Sequence, residues 1–113
     1  MEPIVIPPGG GEPVRRHRIL AELPQLEVVE LTFAPDFEGV DPHTHSDQVD
    51  SFYVLEGEAE FIVEGDVIRA GPGTYVAAPP GVVHGFRNVG PGDLRMLNIH
   101  GPNTGFIGRL RQG

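Results

Sequence analysis

Residues 43–57 read HTHSDQVDSFYVLEG. Two histidines one residue apart are followed by Asp47, Asp50 and a run of strand-forming side chains, and the rest of the chain is organised around this stretch. On a strand, His43 and His45 point to the same face, the geometry that two ligands of one metal ion require; a solvated polar face would show the same pair. In residues 50–56, DSFYVLE, both parities carry apolar side chains, Phe52 and Val54 on one and Tyr53 and Leu55 on the other. A strand of that kind is buried on both sides. One side faces a barrel interior, and the other is covered by a second sheet, the N-terminal arm or a partner subunit, so a homodimer is the expectation.

The oxygen ligand that would complete such a site has three candidates. Asp50 follows His45 by five positions, which gives it the wrong parity on a straight strand unless residues 46–49 turn or bulge. Asp47 keeps the parity and is its rival, with Gln48 outside the pair. A further histidine, His84, lies in residues 73–88, GTYVAAPPGVVHGFRN, just after a Pro79-Pro80-Gly81 turn that directs its approach. Three imidazoles and one carboxylate on a five- or six-coordinate divalent ion leave positions for water or substrate.

The totals narrow the chemistry. There is no cysteine, which removes disulfides, thiolate ligands and cysteine nucleophiles and leaves nitrogen and oxygen as the metal donors. All eight basic residues are arginine, so lysine Schiff-base chemistry is excluded while bidentate recognition of an anion stays open. Arg69, Arg87 and Arg95 are the candidates for that role. A formal charge of −8 argues against nucleic acid and anionic membrane surfaces as partners. The N-terminus carries no signal-peptide pattern and no long apolar run occurs, so a cytoplasmic protein is expected.

With 113 residues, the length fits one domain, read as an arm over residues 1–13 and a barrel over 14–113. Sixteen glycines and twelve prolines suit short strands joined by tight turns. The arm, with Ile4-Val5-Ile6 before Pro7-Pro8, is read as a loose tail or a strand added to a neighbouring sheet. Strands are predicted over 14–20, 26–34 (with a bulge at Val28-Val29), 50–56, 59–63, 67–70, 74–78, 82–88 and 93–100, with one more carrying His43 and His45. Gly65-Asp66 is read as a hairpin turn. Only the C-terminus has helical spacing, with Thr104 as the cap and Phe106 and Leu110 on one face. The result is an all-β sandwich or barrel with a short C-terminal helix.

The two blocks resemble the two motifs of the cupin superfamily. The first block matches as His43, His45, four residues, Asp50, six residues and Gly57. The second matches throughout, as Gly73, five residues, Pro79, one, Gly81, two, His84, three and Asn88. In the first, Phe37 stands where the family has a glycine, and Asp50 replaces the family's usual glutamate. The resemblance implies a double-stranded β-helix, or jelly-roll barrel, holding a divalent metal (Mn, Fe, Ni or Zn) through His43, His45, Asp50 and His84.

It also implies a range of functions. The first is a small metalloenzyme, dioxygenase- or isomerase-like, acting on a small organic acid, phenolic or sugar-like substrate. There His100 and Tyr53 are the candidate catalytic groups, with Tyr75 a further donor. The second is a non-catalytic module that binds or senses a small molecule. His17, among arginines in RRHR, is read as a solvated surface residue, and Asn88 as a turn residue.

Overall fold

The computed structural model describes residues 2–113. Its strands are β1 (Glu12–Val14), β2 (His17–Glu22), β3 (Glu27–Phe33), β4 (Val40–His43), β5 (Val49–Glu56), β6 (Ala59–Val63), β7 (Asp66–Ala70), β8 (Tyr75–Ala78), β9 (His84–Asn88) and β10 (Leu94–Gly101), followed by helix α1 (Phe106–Gln112). They form a six-stranded sheet, β1-β2-β3-β10-β5-β8, and a four-stranded sheet, β4-β9-β6-β7. All pairings are antiparallel. This is the expected all-β jelly-roll with a short C-terminal helix.

The sheets meet through alternate side chains. Phe52, Val54, Leu94 and Met96 from one pack with Ala59, Phe61, Ala70 and Phe86 from the other. Completely burying a side chain such as Phe61, which is 0% exposed, contributes about 1.5–3 kcal/mol. A second cluster joins Ile19, Val29 and Leu31 to Ile107 of α1, and Phe33 touches both. The inward row of β10 runs Leu94, Met96, Asn98, His100, so the interior passes from apolar to polar along one strand. β5 makes the same change in the opposite direction, from Asp50 to Phe52 and Val54, and His100 lies across from Asp50. The polar ends therefore collect at one end of the barrel.

Several local expectations are corrected. The segment expected as one strand over 14–20 is a hairpin: Arg15, at φ 53°, and Arg16 turn the chain between β1 and β2, with Val14 opposite His17. The expected arm boundary after residue 13 thus falls inside β1, which adds an edge strand to the chain's own sheet. The bulge expected at Val28-Val29 lies on the partner strand, where β2 shifts register between Ile19 and Ala21. Strand β4 ends at His43, so His45 lies beyond it. The turn before β7 is Glu64-Gly65, with Asp66 already in the strand.

Helix α1 starts after Gly105 with no side-chain cap, because Thr104 donates its hydroxyl to Gln48 Oε1 instead. The helix is held from another strand: buried Glu27 of β3 accepts the Ile107 N–H through Oε2 at 2.8 Å. At the far end Arg111 reaches both Glu12 and Glu22. The outer face of the six-stranded sheet exposes Val49, Tyr53 and Tyr75, while Ile4 and Ile6 border a shallow groove with Leu20, Leu26 and Val28. No helix among the described residues is long and apolar enough to cross a membrane.

Removing the Glu27 carboxylate should loosen α1. Glu27→Ala is expected to lower unfolding stability by about 1–3 kcal/mol, and Glu27→Gln, which keeps an acceptor, by less. Urea denaturation followed by circular dichroism measures the difference.

Candidate metal centre

Four elements converge at the polar end of the barrel. His43 closes β4 and lies opposite His84, the first residue of β9. His45 follows in the loop, and Asp50 faces inward from β5 in the other sheet. The rings of His43 and His84 are 4.5 Å apart, those of His43 and His45 4.9 Å, and those of His45 and His84 5.4 Å. The parity difficulty at Asp50 disappears because the chain leaves one sheet and enters the other between His43 and Val49, and strand phase is not carried across that crossing. Asp47 is exposed, whereas Asp50 is buried beside the histidines. Gln48 is buried too, but its oxygen is taken by Thr104.

One glycine makes this approach possible, and a second shapes the far end of β5. A Cβ on Gly85 would lie 2.5 Å from the Val40 carbonyl and 2.9 Å from Pro42 N, so only hydrogen lets β4 close on β9 and bring His43 to His84. Gly57, at φ 88°, turns the chain after β5 where a Cβ would meet the Asp93 carbonyl at 2.4 Å.

The donor atoms carry their own argument for a cation. The Nδ1–H of His43 donates to the Asp41 carbonyl at 2.8 Å and that of His84 to the Val82 carbonyl at 3.0 Å, which leaves a lone pair on Nε2 of each neutral ring. Yet His84 Nε2 lies 2.8 Å from Asp50 Oδ2, itself an acceptor, with His45 Nε2 at 3.5 Å from the same oxygen. Two lone-pair atoms at that separation need a proton or a metal ion between them. One ligand atom from each of His43, His45, Asp50 and His84 lies within 4.8 Å of the others. Ligands held at about 2.0–2.2 Å from one ion are at most about 4.4 Å apart, so sub-ångström adjustment lets this cluster hold a metal.

Titration follows the same contacts. Burial alone would raise Asp50, but bonds from His100, His84 and Asn98 hold its carboxyl well below the usual range. For His84, burial would lower the pKa, and the bonds to Asp50 and the Val82 carbonyl outweigh it, leaving the ring above its ordinary 6.5. His45 is held below its ordinary value, chiefly by burial, against the pull of Asp50.

Beside the cluster lies a cavity of about 270 Å³. Its walls are largely Leu31, Phe33, Phe37, Val40, Phe86, Phe106 and Leu110, with His43, His45, Asp50, Asn98 and His100 at the polar end. Phe37, in the place of the expected glycine, stacks on Phe33 at 4.1 Å and 17°. His100 uses Nε2 on Asp50 Oδ1 at 2.8 Å, and its Nδ1 faces Glu27 Oε1 at 3.8 Å with neither atom hydrogen-bonded.

The other candidates lie elsewhere. Tyr53 and Tyr75 sit opposite each other on the outer face of the six-stranded sheet, away from the cavity. Arg87 pairs with Glu60 and Arg95 with Glu30 and Glu56, all outside the barrel, and Arg69 is exposed on β7. None of the three lines the cavity. His17, expected in solvent, is half-buried and does line it. Its signal was in the sequence, since His17 shares parity with Ile19, the buried residue of β2. Asn98, which donates to Asp50 Oδ1 at 2.8 Å, and Glu27, which accepts from Ile107 N–H, were missed because their partners lie far off in sequence, where local alternation shows nothing.

Asp50→Ala or His45→Ala should abolish stoichiometric metal in elemental analysis, while Asp47→Ala keeps it; equal occupancy in all three would refute the ligand set. Metal must displace the proton that His84 holds, so affinity should weaken as pH falls through the raised His84 pKa, by about tenfold per unit. Calorimetric titration across pH checks this, with a flat profile as the contrary result.

Comparison with known proteins agrees with this geometry. The profile described as a cupin domain matches residues 29–100. Quercetin 2,3-dioxygenase of Bacillus subtilis is 27% identical over 92 residues, which cover 75% of this chain. The chain spans only 27% of that protein's length. Among solved structures, KdgF from a Halomonas species superposes with a TM-score of 0.72 at 28% identity, covering 77% of each chain. An RmlC-like cupin from Desulfovibrio desulfuricans superposes with a TM-score of 0.64 at 31% identity, covering 76% of this chain and 80% of that one. Because the profile match runs from β3 into β10, through both histidine blocks, the chain belongs to the cupin domain family.

Proposed function

We propose that this protein is a metal-dependent dioxygenase acting on a planar phenolic compound. The observation that carries the reading is the pairing in one cavity of a nitrogen and oxygen donor cluster with an aromatic wall and no arginine lining it. A sugar phosphate or polyanionic acid would find no side-chain cation there besides the metal, whereas a flat aromatic body packs on Phe33, Phe37 and Phe86. The likeness to quercetin 2,3-dioxygenase, a name that carries a phenolic substrate, points the same way.

A first-row divalent metal held by His43, His45, His84 and Asp50 would supply an electrophilic centre for a phenolic oxygen and for dioxygen. Around it, the chain's residues orient and exclude. Asn98 and His100 hold Asp50 Oδ1 from one side, so that Oδ2 is kept toward His84 and His45. His100 thereby acts as a positioning residue, through Asp50. Phe106 and Leu110 of α1 close the cavity and keep water off the aromatic body. Dioxygenation places both oxygen atoms in the product, so its electron balance calls for no other reductant.

Protein loaded separately with Fe, Mn, Ni and Zn, given quercetin or catechol, is expected to take up oxygen with at least one redox-active ion and not with Zn. Tight binding without turnover under every metal would instead make it a ligand-binding module.

A further inference from the structure

Among the described residues, His17 is the one cavity-lining residue that also borders both of the surface depressions next to the cavity, one beside Arg18 and Arg95, the other beside Asp36 and Phe37. It therefore stands at the mouth. Its ring lies edge-on to Phe33 at 5.3 Å and 63°, and Phe33 continues to Phe37 at 4.1 Å and Phe86 at 5.5 Å. An aromatic wall thus leads inward from His17 toward the metal-ligating cluster.

The protonation pattern of His17 is set by a backbone contact. The Thr32 N–H donates to His17 Nδ1 at 3.1 Å, which requires a lone pair on that nitrogen. A proton there would point at another N–H and break the bond, so the ring is neutral and carries its hydrogen on Nε2. Burial, then Arg15 and Arg16, also hold its pKa below the ordinary value. No hydrogen bond to Nε2 is made among the described residues, so this cavity-lining ring keeps one N–H free to donate.

We infer that His17 Nε2–H recognises an oxygen acceptor on the end of the ligand remote from the metal-ligating cluster. The ligand class is then an elongated aromatic with metal-binding oxygens at one end and a phenol, phenolate or carbonyl at the other. This rests on the phenolic reading above and adds a specificity residue to it.

Two substitutions separate recognition from structure. Asn at this position keeps an acceptor for Thr32 N–H but has no donor at the Nε2 position; Gln places a donor there. Affinities are measured by calorimetry on Zn-loaded protein, where the redox-inert ion leaves the ligand intact. The two probes are quercetin and 3-hydroxyflavone, which keeps the metal-binding hydroxy-keto pair and lacks the remote hydroxyls. His17→Asn should weaken quercetin roughly 2- to 10-fold, leave 3-hydroxyflavone unchanged and leave metal content unchanged, and His17→Gln should restore quercetin binding. An equal loss for both probes, or none for quercetin, would overturn the inference while the phenolic reading stands. Failure of the unsubstituted protein to bind either probe would overturn both.

Discussion

A carboxylate between two β-sheets needs its charge met on several sides, since an unpaired buried charge is far too costly to keep. Asp50 is met at Oδ1 by Asn98 and His100 and at Oδ2 by His84 and His45. Those partners come from β10, from β9 and from the loop after β4, so one side chain ties the six-stranded sheet to the four-stranded one. The fold and the site depend on the same contact. Oδ2 and Nε2 of His84 need a proton or a metal ion between them, so the contact that holds the core together is also where a metal could sit.

The rest of the barrel interior is arranged around that polar end. Antiparallel neighbours β5 and β10 pass from polar to apolar in opposite chain directions, so Asp50 lies across from His100 and the phenylalanines gather beyond them. The apolar portion supplies most of the stabilisation by burial, while its incomplete filling near Phe33, Phe37 and Phe86 leaves the cavity. Helix α1 covers this opening and is itself anchored by Glu27, whose other oxygen faces His100. The lid of the cavity and the support of Asp50 thus share a neighbour.

The strands and turns were legible from alternation and from the Gly and Pro punctuation, because side-chain parity is a local property of an extended chain. His43, His45 and His84 were legible from residue type and spacing. Contacts that depend on what lies opposite were not legible. Thr104 has the sequence of a cap, yet a nearby glutamine offered its hydroxyl another acceptor. Tyr53 belongs to a strand apolar on both faces, and nothing local says which face is the interior. Arg87 and Arg95 looked free to bind anions until neighbouring strands placed Glu30, Glu56 and Glu60 beside them.

By itself, the sequence determined the donor chemistry, imidazole and carboxylate with no thiolate, together with the all-β alternation and the two spaced blocks that mark the family. Only the tertiary structure set Asp50 beside the histidines and left Asp47 exposed, since the crossing from one sheet to the other resets strand phase and buries one carboxylate while exposing its neighbour. It also moved His17 from the surface to the mouth of the cavity. A backbone N–H from the adjacent strand defines its tautomer, and hydrogen bonds between distant residues leave no trace in local spacing.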